Sequence, residues 1–277
     1  MKNILSKITI VFCATITMIF MSCQVDNQET ETPTLSTENT TKAALADNIA
    51  EGTLNIMENG YEENAGEPNP LRTASFFPSC TTITITTNGN GGTIVLDFGD
   101  SCELNNGAIV SGKINLEFGA IVGGTRTINY SFENYIYNGN GVSGGGEIFR
   151  EIANSAGNPQ STVNELIYVS FPNTDITATR EGLRIVEWTE GVGSGTWTDN
   201  VYEVTGNWDT TFTNGFNRSG VVTQVLVRKM SCMYLVSGKL LVEQGDLSGE
   251  IDWGNGTCDN LATFTYDGTV YPIILGN

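Results

Sequence analysis

Carboxylates and indoles are the groups in this chain best suited to chemistry, because the usual proton shuttle is missing: there is no histidine. That absence removes Ser-His-Asp and Cys-His nucleophilic sites, His-ligated zinc and imidazole general bases. An enzyme built from this alphabet would work through Asp and Glu, as glycosidases do, or through Tyr or Lys. One stretch gathers suitable groups. From Glu187 to Phe212, Trp188, Trp197 and Trp208 stand beside Glu190, Asp199, Glu203 and Asp209. Indoles offer broad faces for sugar rings, and carboxylates ~5–9 Å apart could act as acid and base. These tryptophans are the candidate glycan-binding residues, although a strand core uses the same side chain for packing. No residue is assigned a catalytic role.

Other motifs carry less. A Gly-x-x-x-x-Gly-Lys-Ser/Thr phosphate loop is absent, and the glycine clusters at 89–92 and 144–146 lack a following helix and lysine, so they read as turns. Asp97, Asp100, Glu103 and Asn105, and again Asp252, Asn255, Asp259 and Asn260, offer oxygens that calcium could use. Their spacing matches no EF-hand loop, and Asp and Asn in turns bond their own backbone, so no metal and no cofactor are expected. The chain carries 31 acidic against 13 basic residues. With no basic stripe to meet phosphates, a nucleic-acid partner is excluded. Arg228-Lys229 reads as a solvated strand end.

The amino terminus carries an address. Lys2 and Lys7 precede an apolar run from Ile8 to Met21, shorter than the ~20 residues a spanning helix needs. Phe20-Met21-Ser22-Cys23 then resembles the lipobox of bacterial lipoproteins. The resemblance implies cleavage after Ser22 and lipidation of Cys23, with the membrane as partner through that lipid. Removing residues 1–22 leaves 11 basic against 31 acidic residues, a formal charge of −20.

Four regions follow: a signal peptide at 1–22, a disordered tether at 23–41, a helix and loop at 42–79, and a single antiparallel β domain at 80–277. The helix is expected over 42–59, with a break at Gly52 allowed and Asn59-Gly60 as its stop. From Cys80 onward, alternating apolar and polar runs bounded by Gly, Asn and Asp predict about a dozen strands in an all-β meander, either a sandwich or one large curved sheet.

Cysteine positions fit that meander. The midpoint of Cys80 and Cys102 falls in the Gly89–Gly92 turn, and the midpoint of Cys232 and Cys258 falls in Gln244-Gly245-Asp246. Each pair therefore sits opposite itself across one hairpin, where Cα atoms ~4.5–5.5 Å apart are within disulfide reach. Hairpin geometry favours 80–102 with 232–258 over the two crossed pairings, and an oxidising compartment favours both bridges over a four-thiolate zinc site.

Taken together, the lipobox, acidic linker, short helix, Asp97-Phe98-Gly99-Asp100-Ser101-Cys102 with Gly112-Lys113-Ile114, Arg228-Lys229 and Cys232 with Ser237-Gly238-Lys239, and Asp252-Trp253-Gly254-Asn255-Gly256-Thr257-Cys258 resemble secreted lipoproteins of Bacteroidetes-type (flavobacterial) bacteria. That family's segments run Asp-Tyr/Phe-Gly-x-Gly-Cys, so Trp253 and the single glycine before Cys102 depart from it. The resemblance implies an outer-membrane lipid anchor, facing the periplasm or the cell surface, and transfers no catalytic residue. The expected function is a non-catalytic envelope protein, structural or a binding module for glycan or protein. The alternative is a carboxylate-dependent carbohydrate-active enzyme.

Overall fold

The computed structural model describes residues 36–65 and 74–275. One helix, α1 (Thr37–Asn64), precedes fourteen strands: β1 (Thr82–Asn88), β2 (Gly91–Asp97), β3 (Cys102–Glu103), β4 (Ile109–Phe118), β5 (Thr125–Tyr137), β6 (Asn140–Glu151), β7 (Gln160–Ser170), β8 (Thr177–Glu190), β9 (Val201–Phe212), β10 (Asn217–Lys229), β11 (Ser237–Gln244), β12 (Leu247–Asn255), β13 (Leu261–Tyr266) and β14 (Thr269–Ile274). All fourteen form one antiparallel sheet in which sequence neighbours pair, except that the short β3 lies beside β4 and β2 pairs with β4 directly. The architecture is thus a single curved sheet. No described helix is long and apolar enough to cross a membrane.

Strand alternation decides which side of the sheet is core. In β2, Ile94 and Leu96 are buried between half-exposed neighbours, and in β9, Tyr202, Val204 and Trp208 point inward while Glu203, Asn207 and Asp209 point out. The inner face closes around α1, whose backbone approaches β2, β4, β8 and β14. Nearly every helix residue from Ala43 to Gly60 is buried.

This burial corrects the helix reading. α1 begins at Thr37, inside the expected tether, where Ser36 caps it by accepting a hydrogen bond from the Asn39 N–H at 3.2 Å. It then passes Gly52 and Gly60 unbroken to Asn64. A β-carbon on Gly52 would strike the Tyr137 ring and hydroxyl, and one on Gly60 would strike Leu96. These glycines are close-approach points for the sheet, which outweighs their ~1 kcal/mol propensity cost. Asn55, Asn59 and Asn64 donate their side-chain amides to the carbonyls of Glu51, Asn55 and Gly60, four residues back, so these donors are paired within the helix itself.

A second correction concerns Gly144–Gly146, which lie inside β6 instead of forming a turn. β-Carbons there would collide with the carbonyls of Leu166, Tyr130 and Asn164 on the flanking strands. Glycine marks close backbone contact here. The cysteines form Cys80–Cys102 and Cys232–Cys258 bridges, with Cα separations of 5.6 and 5.4 Å, each around one hairpin.

Candidate functional site

Two polar features stand out among the described residues of the interior, and one of them opens to solvent. The closed one is an ion-pair ladder between α1 and the sheet. Asp47, Glu51, Glu58 and Glu62 recur four, seven and four residues apart, which sets them along one stripe of the helix. Asp47 accepts from Arg180 Nε at 3.2 Å, from Arg218 Nη2, and from the Trp208 indole N–H at 2.8 Å. Glu51 pairs with Arg184, and Glu58 with Arg150 at 2.6 Å. Glu62 closes on the other guanidinium nitrogen of Arg150, while Glu165 on β7 bridges Arg180 and Arg184. Burial by itself would lower the Arg150 pKa, but Glu58 and Glu62 raise it further, so the guanidinium is held charged. Burial pushes the Glu165 carboxyl up against the opposing pull of Arg180. This ladder joins helix to sheet, and the sequence reading missed it. The acidic stripe in α1 was its only sequence signal.

Arg228 belongs to the same interior. Instead of ending a strand in solvent it is fully buried, facing Tyr137 and Tyr234, and burial pulls its pKa down. Strand alternation explains the correction: Arg228 pairs in register with the inward-facing Tyr202.

The open feature is a cleft of about 360 Å³ at the carboxyl end of α1. Asn59, Glu62 and Glu63 come from the helix, Ala74 from the segment before β1, Ile152 and Pro159 from the β6–β7 connection, Trp188 from β8, and the rest from the loop between β8 and β9, including Trp197 and Asn200. Gly191, Gly193 and Gly195 all adopt positive φ, which lets that loop fold back on itself. Ser194 ties it down, accepting from the Thr196 N–H and donating to Asp199 Oδ1, both at 3.0 Å. Trp197 stands edge-on to Phe76 with centroids 5.3 Å apart, and Trp188 stacks on Tyr202 at 5.8 Å. The indole N–H of Trp188 has no hydrogen-bond partner among the described residues.

The structure separates the tryptophans that the sequence grouped. Trp188 and Trp197 share the cleft, whereas Trp208 is 3 % exposed, sandwiched against Arg180 with the guanidinium 4.3 Å from its ring, and bonded to Asp47. Its faces are not open to a sugar, which corrects that assignment. Glu190, Asp199, Glu203 and Asp209 are exposed, and Glu203 and Asp209 lie on the outer face, opposite the inward Trp188 and Trp208. The acids that do reach the cleft are Glu62, paired with Arg150, and Glu63, which accepts from the Ser75 hydroxyl at 2.6 Å and the Phe76 N–H at 2.7 Å.

The two Asp-aromatic-Gly turns are built alike. Asp97 Oδ1 accepts from the Gly99 N–H at 3.0 Å and Asp252 Oδ1 from the Gly254 N–H at 2.7 Å, and each aspartate also meets a cross-strand lysine, Lys113 or Lys239. Cys23 lies outside the described residues. Compared with known proteins, the chain matches no protein-family model, no curated protein and no solved structure.

Proposed function

We propose that this protein is a non-catalytic, lipid-anchored envelope protein whose cleft between Trp188 and Trp197 binds a neutral glycan unit. The observation that carries the reading is the state of the cleft's acids. Both helix carboxylates are engaged, Glu62 by a guanidinium and Glu63 by two donors, which leaves the half-buried Trp197 ring and the unpaired Trp188 indole N–H to recognise a ligand. Its volume falls within the ~300–1,000 Å³ typical of small-ligand sites. A neutral ligand fits better than an anionic one, since 31 acidic residues against 13 basic repel polyanions. The anchor at Cys23 and the segment that follows it would display this cleft at the outer membrane.

The test is a glycan array with the full mature chain carrying Cys23→Ser, run with and without calcium, alongside Trp197→Ala. Retention of a neutral glycan by the parent and its loss in Trp197→Ala at an unchanged melting temperature supports the proposal. Hydrolysis of a retained glycan would instead favour the carbohydrate-active enzyme. Absence of any retention overturns the glycan reading.

A further inference from the structure

We propose that β1 is a dimerisation edge on which a second copy of this chain pairs strand to strand about Thr84. β1 ends the sheet with β2 as its only strand partner among the described residues. Alternate residues of such a strand turn their N–H and C=O groups away from the sheet, ready to accept another strand.

The side chains tell the same story. Two inward apolar rows cross the sheet in register, Ile114–Leu96–Ile83 and Leu116–Ile94–Ile85. Ile94, Leu96 and Ile114 are fully buried, yet Ile85 at the end of its row is 46 % exposed. The core face therefore runs past its cover at β1. Natural edges are blunted by charge, proline or a bulge, and β1 has none of these from Thr82 to Asn88, with an uninterrupted register to β2. The opposite edge, β14, contains Pro272, whose nitrogen cannot donate to an added strand.

A second copy fits this edge because Thr82-Ile83-Thr84-Ile85-Thr86 reads the same in both directions. An antiparallel pair on a two-fold axis at Thr84 sets Thr82 against Thr86, Ile83 against Ile85, and Thr84 against itself. Every opposed pair is then β-branched and uncharged, the combination that stabilises cross-strand contacts. The isoleucines of two copies would cover each other on the inner face. In a chain with 31 acidic against 13 basic residues, an uncharged strand also lets two copies meet without apposing carboxylates.

Sedimentation of the full mature chain carrying Cys23→Ser, from about 1 to 100 μM, tests the proposal. A reversible dimer is expected. Thr84→Lys, at an exposed position, places two like charges on the axis and is expected to weaken that dimer about fivefold or more while leaving the melting temperature unchanged. Thr84→Cys is expected to form an intermolecular disulfide, because directly opposed residues lie ~4.5–5.5 Å apart. A monomer throughout the range, a dimer indifferent to Thr84→Lys, or failure of Thr84→Cys to cross-link would each overturn the proposal. Should Thr84→Lys fail to fold, the cysteine cross-link decides alone.

Discussion

Asp47→Ala tests whether the helix is held to the sheet by charge. Its carboxylate, 1 % exposed, accepts from the Trp208 indole, Arg180 Nε and Arg218 Nη2. Truncation leaves Arg218 with the Ala43 carbonyl alone and strips Arg180 Nε of its acceptor, Glu165 remaining on Nη1, while Arg180 Nη2 and Arg218 Nε and Nη1 already lack partners. Breaking one side of a buried pair costs ~3–5 kcal/mol, most of it the uncompensated charge that remains. Against the ~5–15 kcal/mol of a typical domain, that is a large fraction. Asp47→Asn keeps an acceptor for the indole and removes the charge, so a smaller loss of about 2 kcal/mol is expected. Urea unfolding followed by tryptophan fluorescence and far-ultraviolet circular dichroism measures both. Asp209→Ala, on the outer face of β9, serves as the control and should stay within about 0.5 kcal/mol of wild type. A cycle combining Asp47→Ala with Arg218→Met should show a coupling of about 1 kcal/mol or more, since the second change removes the charge that the first leaves stranded. A loss below about 1 kcal/mol for Asp47→Ala, or one equal to the Asp209 control, would refute the reasoning.

Burial raises Tyr130, Tyr135 and Tyr202 above the usual tyrosine value of 10, so their contribution to stability is complete below pH 10 and is lost as pH rises through the raised values. An alkaline absorbance titration should therefore show these three tyrosines ionising well above pH 10. Removing Cys80–Cys102 or Cys232–Cys258 by paired serine substitution should cost ~3 kcal/mol each, read from urea midpoints, because the bridges span 22 and 26 residues. Trp208→Ala should cost ~3–5 kcal/mol, whereas Trp197→Ala at the cleft rim should cost well under that. Thermal melts of the pair check the ordering. Cys23→Ala should release the protein from the membrane fraction, and metabolic labelling with a fatty-acid analogue should mark the wild type alone.

The sequence by itself determined the elements that local physics controls. Alternation in runs such as Thr82-Ile83-Thr84-Ile85 and Gly-Asn punctuation between them made an antiparallel meander legible, and the cysteine midpoints located two hairpins. Local patterns misled wherever a residue's role came from a distant neighbour. Gly52 and Gly60 look like helix breakers until Tyr137 and Leu96 press against them, and Gly144–Gly146 look like a turn until strands on both sides require bare backbone. Arg228 reads as a solvated strand end because residue type reports average exposure, and Trp208 reads as a candidate sugar platform or a packing residue alike, whereas in-register pairing across β8, β9 and β10 turns both inward. Only the tertiary structure could choose one sheet curled around a helix, since that choice rests on charges far apart in the chain, such as Asp47 with Arg180 and Arg218, meeting in a low-dielectric interior. The cleft follows from the same closure. Trp188 and Trp197 acquire Glu62 and Glu63 as neighbours because α1 ends beneath the β8–β9 loop, a proximity that no spacing within residues 187–212 encodes.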